Sequence, residues 1–271
     1  MRSKLPKLTD KEFNSIFNFF IKEKWMYPVN STVDNKHIRL SNFIDCFPSY
    51  TYPEYKNKIN NIKILLLGLG TAGSYILEVL TKLGFHNFIL IDGDRIEEKN
   101  IMAQNYNLSD VGKLKTSVIK SKFPNINVKV INEKISSYDN LKQKIDLSKI
   151  DFFINCADDF KLQMDILNNI FNEYPKTKII YGGYSFLMHS DDFITKSNYK
   201  VFQKIALKQS ANINIDNYVI ENSGSILNGF MSALVISTYV FNYVVKNRYK
   251  DQFLGDFYRN KFKFFNQNEK F

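Results

Sequence analysis

The stretch IKILLLGLGTAGSYILEVLTKLGFHNFILID (62–92) decides the fold. IKILLL (62–67) is a short, almost wholly apolar run, as a strand buried on both faces of a parallel sheet must be. GLGTAG (68–73) follows at once, then a helical pattern to about Leu83, then a second strand, FILID (88–92). Gly68, Gly70 and Gly73 form a G-x-G-x-x-G between strand and helix. The first glycine permits the tight turn, the second lets backbone approach a phosphate, and the third lets helix and strand pack closely. Amides at a helix N-terminus favour an anion. Asp92, at the end of the second strand, stands where a carboxylate accepts hydrogen bonds from ribose hydroxyls. Strand, loop, helix, strand and acid in this order predict a nucleotide site. They do not separate NAD from ATP.

Downstream, VKVIN (128–132), DFFINCA (151–157) and KIIYGG (178–183) read as further strands, with helices near 113–122, 137–147 and 160–173. Alternating strands and helices predict an α/β, Rossmann-type fold: a mostly parallel sheet with helices on both faces. A strand pair near 185–195 and a long helix at 226–246 complete it. Residues 1–60 differ in character and form a short N-terminal appendage; 61–271 form the main domain. Thr9 or Asp10 caps a helix to about Lys24, a loop runs past Pro28 and Asn35, and residues 50–61 read as a linker broken at Pro53.

The composition bounds the function classes. The chain has 271 residues, 44% hydrophobic and 24% charged, with a net charge of +10. That charge favours acidic partners, or else reflects a solvated lysine-rich surface. There is neither a long lysine run nor an aromatic–basic RNA motif, so a nucleic-acid partner is not expected. Cys46 and Cys156 are far apart and not in C-x-x-C spacing, which excludes a disulfide scaffold and a four-thiolate zinc site. The N-terminus has no apolar signal core. Residues 226–245 are the single stretch long enough to span a membrane, but Asn228, Ser232, Ser237, Thr238 and Asn242 make it a buried core helix. A cytoplasmic protein without a membrane partner is expected.

IDGDRIEEKNIMAQNYNLSDVGKLK (91–115) resembles the signature of the E1-like (ThiF/MoeB-type) family: Asp-x-Asp, then Asn-Leu-x-Arg-Gln, then Val-Gly and a lysine. Asp92, Asp94, Asn100, Gln104, Val111, Gly112 and Lys115 fall on it. NCADDF (155–160) resembles the family's later Cys-Thr/Ala-Asp segment and puts Asp158 at a strand end. This resemblance favours ATP over NAD and argues against an oxidoreductase. Within the family, residues 19–35 and 40–45 resemble the end of the N-terminal peptide clamp of microcin C-type adenylating enzymes of ribosomal peptide (RiPP) biosynthesis.

The resemblance implies ATP-dependent adenylation of a peptide or small-protein carboxylate. It implies that Asp158 holds Mg²⁺, Lys115 neutralises phosphate charge, Asn100 and Gln104 hydrogen-bond the triphosphate, Asp92 holds the ribose and Asp94 supports the floor. It also implies a homodimer, to which the apolar 226–246 helix lends surface, and a ribosomal precursor peptide as partner, acidic if the +10 charge steers it. Lys22, Lys24, Lys36 and Arg39 are candidate contacts. Taken singly, the residues have plainer readings: Asn100 and Gln104 as loop polars, Lys115 as a solvated helix lysine, Asp158 as a helix N-cap.

The pattern breaks in two places. The family's arginine before the glutamine is Ala103, with Arg95 the neighbouring cation that could compensate. Where relatives carry a zinc-binding Cys-x-x-Cys, this chain reads SNYKVFQK (197–204), so no zinc is expected. Cys156 reads as a small buried hydrophobe and no cysteine is placed for a thioester step. An E1-like scaffold that binds a precursor peptide without turnover therefore stands as the alternative to an adenylating enzyme. The three histidines, His37, His86 and His189, show no ligand spacing.

Overall fold

Strand β1 (Ile64–Leu67) is buried at all four positions. Its neighbours are β2 (Asn87–Ile91) on one side and β4 (Phe152–Asn155) on the other, both parallel to it. The computed structural model describes residues 8–23, 25–26, 33–47, 51–185, 188–212, 224–246 and 250–266. The chain divides into two compact units, Met1–Lys58 and Ile59–Phe271.

In the larger unit β3 (Asn127–Ile131), β5 (Lys178–Ser185), β6 (Met188–Ile194), β7 (Gln252–Asp256) and β8 (Lys261–Phe265) extend the sheet to eight strands, in the order β3-β2-β1-β4-β5-β6-β7-β8. The first five strands are parallel, and β6, β7 and β8 add antiparallel to their edge. The chain leaves β1 toward β2 and β3, then returns to place β4 on the other side of β1. The crevice at such a switch point, beyond the carboxyl ends of the strands, is where open α/β sheets bind ligands.

Alternation along the strands separates two faces. Leu65, Leu67, Ile89, Ile91, Phe153 and Ile179 share a core with Leu141 of α6 (Tyr138–Lys144) and with Leu162, Ile166 and Ile170 of α7 (Phe160–Glu173). Helix α4 (Gly73–Lys82) packs on α9 (Ile226–Val244), which also lies against β5 and β6. Helix α9 has the length and apolarity of a membrane span, yet 56% of its span-length window is buried inside the structure. Its interior face is built from Ser232, Val235, Ile236, Tyr239 and Val240, and Ile226, Leu227, Phe230 and Leu234 are exposed. Helix α5 (Lys115–Lys122) packs on β3.

Three elements differ from the sequence expectations. The expected linker at 50–61 is largely helix α3 (Tyr52–Asn60). Thr51 N–H and Oγ both donate to Glu54 Oε2, at 2.9 and 2.8 Å. That is the Thr-x-x-Glu start of a helix, and Pro53 sits in its first turn, where a missing N–H costs nothing. Helix α8 (Tyr199–Asn212) covers the segment where relatives carry the cysteine pair. The C-terminal hairpin β7–β8 was not anticipated; it turns at Asn260, which takes a positive φ of 52°.

In the smaller unit α1 (Asp10–Lys22) begins as expected at Thr9, which forms a capping box with Glu12. None of its residues is buried, and Ile16, Phe19 and Ile21 stand exposed on it. Helix α2 (Ile38–Asp45) follows.

Candidate functional site

The glycine loop joins β1 to α4 at the switch point. Gly68 has φ +88°, and a Cβ there would lie 2.8 Å from the Cys156 carbonyl carbon. A Cβ on Gly73 would lie 1.9 Å from Gly68 O. Both positions exclude a side chain, because loop, helix and the end of β4 are in backbone contact. Gly70 differs: a Cβ there meets nothing nearer than Gln104 Nε2 at 3.8 Å. It borders a cleft of about 500 Å³, a size suited to a nucleotide. Helix α4 starts at Ala72 with no side-chain cap hydrogen bond among the described residues, which leaves amides of its first turn open to a ligand.

Asp92 is 8% exposed and clamps the loop. Its Oδ2 accepts from Leu69 N–H and its Oδ1 from Asp94 N–H, both at 2.7 Å. Each oxygen keeps a second lone pair, which leaves capacity for ribose hydroxyls. Asp94 lies between two lysines: Lys115 Nζ is 3.1 Å from Oδ2 and Lys134 Nζ is 3.1 Å from Oδ1. Partial burial alone would raise the Asp94 carboxyl, but Lys115 and Lys134 outweigh it and hold it below the usual carboxylate range. Lys115 is only 6% exposed, so it is not a solvated helix lysine.

Asn100, at the end of a 3-10 turn (Glu98–Asn100), accepts from Glu97 N–H through Oδ1 at 2.8 Å. Its oxygen therefore serves the turn, and its amide donor group is what it can offer a ligand. Gln104 lines the cleft with a buried Oε1 that has no hydrogen-bond partner among the described residues. Asp158 also lines the cleft and is exposed. It does not cap α7; Asp159 does, accepting from Leu162 N–H at 2.9 Å. Among the described residues Asp158 makes no hydrogen bond or ion pair.

The structure thus gathers Gly68, Gly70, Asp92, Asp94, Asn100, Gln104, Lys115 and Asp158 on one cleft. Gly73 supports the loop from behind, and Val111 and Gly112 lie away from it. Gly112 takes φ +86° in the turn leading back to α5. Arg95 does not stand in for the arginine replaced by Ala103. Its Nη1 donates to Gly112 O at 2.7 Å, and neither residue lines the cleft. Sequence reasoning missed Lys99, Lys134, Glu97 and Glu133, which do line it. Glu133 and Lys134 arrive through the end of β3, and no local motif marks them.

In all, six carboxylates (Asp92, Asp94, Glu97, Glu133, Asp158, Asp159) face three lysines in the cleft, a formal charge of −3 in a chain of +10. Among the described residues no group of three or more His, Cys, Asp or Glu side chains is arranged to hold a metal by itself. Cys156 lines the floor, and burial, with Asp191 adding, pushes its thiol well up, away from a reactive thiolate. His189, which shows no ligand spacing in the sequence, has a partner on its own strand: its Nε2 lies 2.7 Å from Asp191 Oδ2, both fully enclosed. Ser232 Oγ lies 3.3 Å from the same nitrogen.

MccB of E. coli, solved with AMPCPP and MccA, has a TM-score of 0.75 at 20% identity, over 98% of this chain and 81% of that one. PaaA has a TM-score of 0.69 at 15% identity, over 97% and 84%. At these identities the likeness is one of fold. Ubiquitin-like modifier-activating enzyme 5 of Caenorhabditis elegans is 27% identical over 125 residues, 42% of this chain and 30% of the relative. That of Xenopus laevis is 28% identical over 133 residues, 44% and 33%. The matched region is thus about a third of the length of these relatives. The ThiF family model matches residues 44–269, most of the chain and the whole of the cleft. The chain belongs to the ThiF family.

Proposed function

We propose that this chain binds Mg·ATP in the switch-point cleft and adenylates the C-terminal carboxylate of a peptide or small protein. The observation that carries the reading is the pairing of an open Gly70 with a net-negative cleft whose one carboxylate without a partner among the described residues is Asp158. A polyphosphate entering a cleft of charge −3 needs a cation with it, and Mg²⁺ is bound by one or two carboxylates together with substrate phosphates. Asp158 would hold the ion, whose charge would offset that of the phosphates.

In this reading the amides of the loop and of the α4 N-terminus receive phosphate oxygens. Lys115 adds a cation held in place by Asp94, and Asn100 and Gln104 donate through their amide groups. Asp92 accepts from the ribose, and Asp158 holds the metal. The peptide carboxylate attacks the α-phosphorus, the bond to pyrophosphate breaks, and an acyl adenylate forms. Such catalysis is mostly positioning and charge neutralisation. E. coli MccB, solved with ATP, and the microcin C7 biosynthetic enzyme MccB, solved with N-formylated MccA, support the nucleotide and the partner class. ATP–pyrophosphate exchange with candidate peptides tests the reaction: no exchange with any of them, together with no ATP binding by calorimetry, overturns it.

A second reading is favoured by one observation. The family arginine is Ala103, and Arg95 is engaged elsewhere. Losing a charge-assisted phosphate contact costs on the order of 1.5–3 kcal/mol. A scaffold that binds peptide and ATP without turnover predicts ATP binding but no exchange.

The partner is proposed to be an acidic ribosomal peptide. Lys22, Lys36 and Arg39 are exposed in the smaller unit; Lys24 lies outside the described residues. Steered capture weakens as the Debye length falls from about 30 Å at 0.01 M salt to about 8 Å at 0.15 M. Affinity for an acidic leader peptide across that range, with and without residues 1–60, tests this; unchanged affinity on deletion places the peptide elsewhere. We also propose a homodimer, supported by the exposed Ile226, Leu227, Phe230 and Leu234 on α9. Sedimentation showing only a 31.8 kDa species refutes it.

A further inference from the structure

The Leu69–Gly70 peptide sits at the centre of the glycine loop, and two side chains from outside the loop hold Leu69. On one side Asp92 Oδ2 takes the Leu69 N–H at 2.7 Å. On the other, the Tyr106 hydroxyl donates to Leu69 O at 2.7 Å. A trans peptide is planar, so its C=O and N–H point in opposite directions. Leu69 C=O and Gly70 N–H belong to the same peptide. Fixing the carbonyl on Tyr106, inside the protein, turns the Gly70 N–H the other way. Gly70 lines the cleft, and its N–H makes no hydrogen bond among the described residues. A peptide flanked by glycine flips easily, because glycine tolerates both signs of φ. Something must hold it if it is to present a donor.

We propose that Tyr106 is a positioning residue for nucleotide binding: its hydroxyl locks the Leu69–Gly70 peptide so that the Gly70 N–H faces the cleft as a phosphate donor. This inference rests on the nucleotide reading above. Tyr106 is 5% exposed, and a phenylalanine would fill the same space, so packing does not account for the hydroxyl. The residue is itself braced. Lys122 Nζ lies 5.6 Å from the ring centroid. The preceding Asn105 is tied to α4: its N–H donates to Ser74 Oγ at 3.0 Å and its Nδ2 to Glu78 Oε2 at 2.9 Å. The strut therefore runs from α4 through Asn105 and Tyr106 back to the loop that starts α4.

Its hallmark is a split between phosphate and nucleoside. Tyr106→Phe should weaken Mg·ATP about tenfold, the scale of one such hydrogen bond, and leave adenosine affinity unchanged. The protection that bound Mg·ATP gives the Gly70 amide against exchange should be smaller in the variant, with the sheet protected as in the wild type. A merely structural role lowers affinity for both ligands together and loosens the sheet. Should Tyr106→Phe not fold, Tyr106→Met removes the hydroxyl with similar bulk and gives the same comparison. A wild-type protein that is folded but binds no ATP overturns the nucleotide reading and this inference with it. Wild-type binding with an unchanged variant, or with equal losses for ATP and adenosine, overturns the role of Tyr106 alone.

Discussion

Gly70→Ala separates the two jobs that glycines perform in this loop. A Cβ at Gly70 has its nearest neighbour at 3.8 Å, and Gly70 is not among the positive-φ glycines. The backbone therefore accepts alanine without strain, and the fold should keep its stability to within about 1 kcal/mol, with either sign possible because alanine also restricts the unfolded chain. The new methyl stands on the cleft side, where a phosphate must come within about 3 Å of the Gly70 N–H. Losing that charge-assisted contact costs about 1.5–3 kcal/mol, or roughly 10- to 150-fold in Kd. Gly73→Ala is the counterpart. Its Cβ would lie 1.9 Å from Gly68 O, and the obstacle is backbone rather than a flexible side chain. Helix and loop must separate, at a cost of at least about 1–3 kcal/mol, so stability and ATP affinity should fall together. Urea unfolding gives the first quantity and calorimetry with Mg·ATP the second. If Gly70→Ala binds ATP as the wild type does, phosphate does not approach this amide and the cradle is misassigned. If Gly73→Ala is as stable as the wild type, the close packing of loop on helix is wrong.

Other perturbations probe the charges around the cleft. Lys115→Met leaves Asp94 with Lys134 alone; because Asp94 is half exposed, stability should drop only about 1 kcal/mol, while Mg·ATP affinity falls by tenfold or more, and an unchanged Kd removes Lys115 from the site. Asp158→Asn should leave urea stability within about 0.5 kcal/mol yet raise the Mg²⁺ concentration needed for ATP binding, whereas Asp159→Ala should cost about 1 kcal/mol through the lost α7 cap; the reverse pattern exchanges the two roles. Burial raises the Asp191 carboxyl to about 6, only partly offset by His189. Between the ordinary carboxylate value near 3.9 and about 6 the native state keeps a proton that the unfolded chain releases. The stability associated with that proton is present below the lower value and lost as pH rises through the upper one, on the order of 3 kcal/mol. Stability measured from pH 4 to 7 should decline more steeply in the wild type than in Asp191→Asn, and parallel profiles would discount the effect.

What could be read from the residues alone follows from which interactions are local. The β1–loop–α4 unit was legible because its apolar run, its glycine spacing and Asp92 lie within about thirty consecutive residues and each answers a backbone constraint. Helix α3 was missed although its signal was present: Thr51 and Glu54 bracket Pro53 as a helix start, and proline was read as a breaker. The β7–β8 hairpin carried a period-two pattern in Lys261, Phe262, Lys263 and Phe264, but one too short to stand apart from the aromatic-rich composition around it. His189 and Asp191 are two residues apart on a strand and so share a face, yet nothing in the sequence says that this face is enclosed by α9. For Lys115 and Asp158 the sequence left two readings each, and burial and capping geometry, which are tertiary, removed the solvated-lysine and helix-cap readings.

Net charge is the clearest case of a whole-chain quantity that misleads about a site. A chain of +10 reads as an anion receptor, and the simplest placement of an anion is this cleft. The cleft instead carries −3. Lys99 is paired with Glu97 at 3.0 Å, and Lys115 and Lys134 share Asp94, so none of the three lysines is an unattached cation. In the proposed reading a triphosphate would meet backbone amides and neutralised lysines rather than an excess of positive charge. The charge of the whole protein would then act on the approach of a partner over the outer surface, while binding within the cleft would depend on directed donors and on a metal arriving with the nucleotide. These two regimes respond differently to salt. Raising ionic strength from 0.01 to 0.15 M should weaken capture of an acidic peptide far more than it weakens Mg·ATP at saturating Mg²⁺. Calorimetric titrations of each ligand across that range decide it, and a steeper salt dependence for ATP than for peptide would refute the assignment of the basic charge to the outer surface.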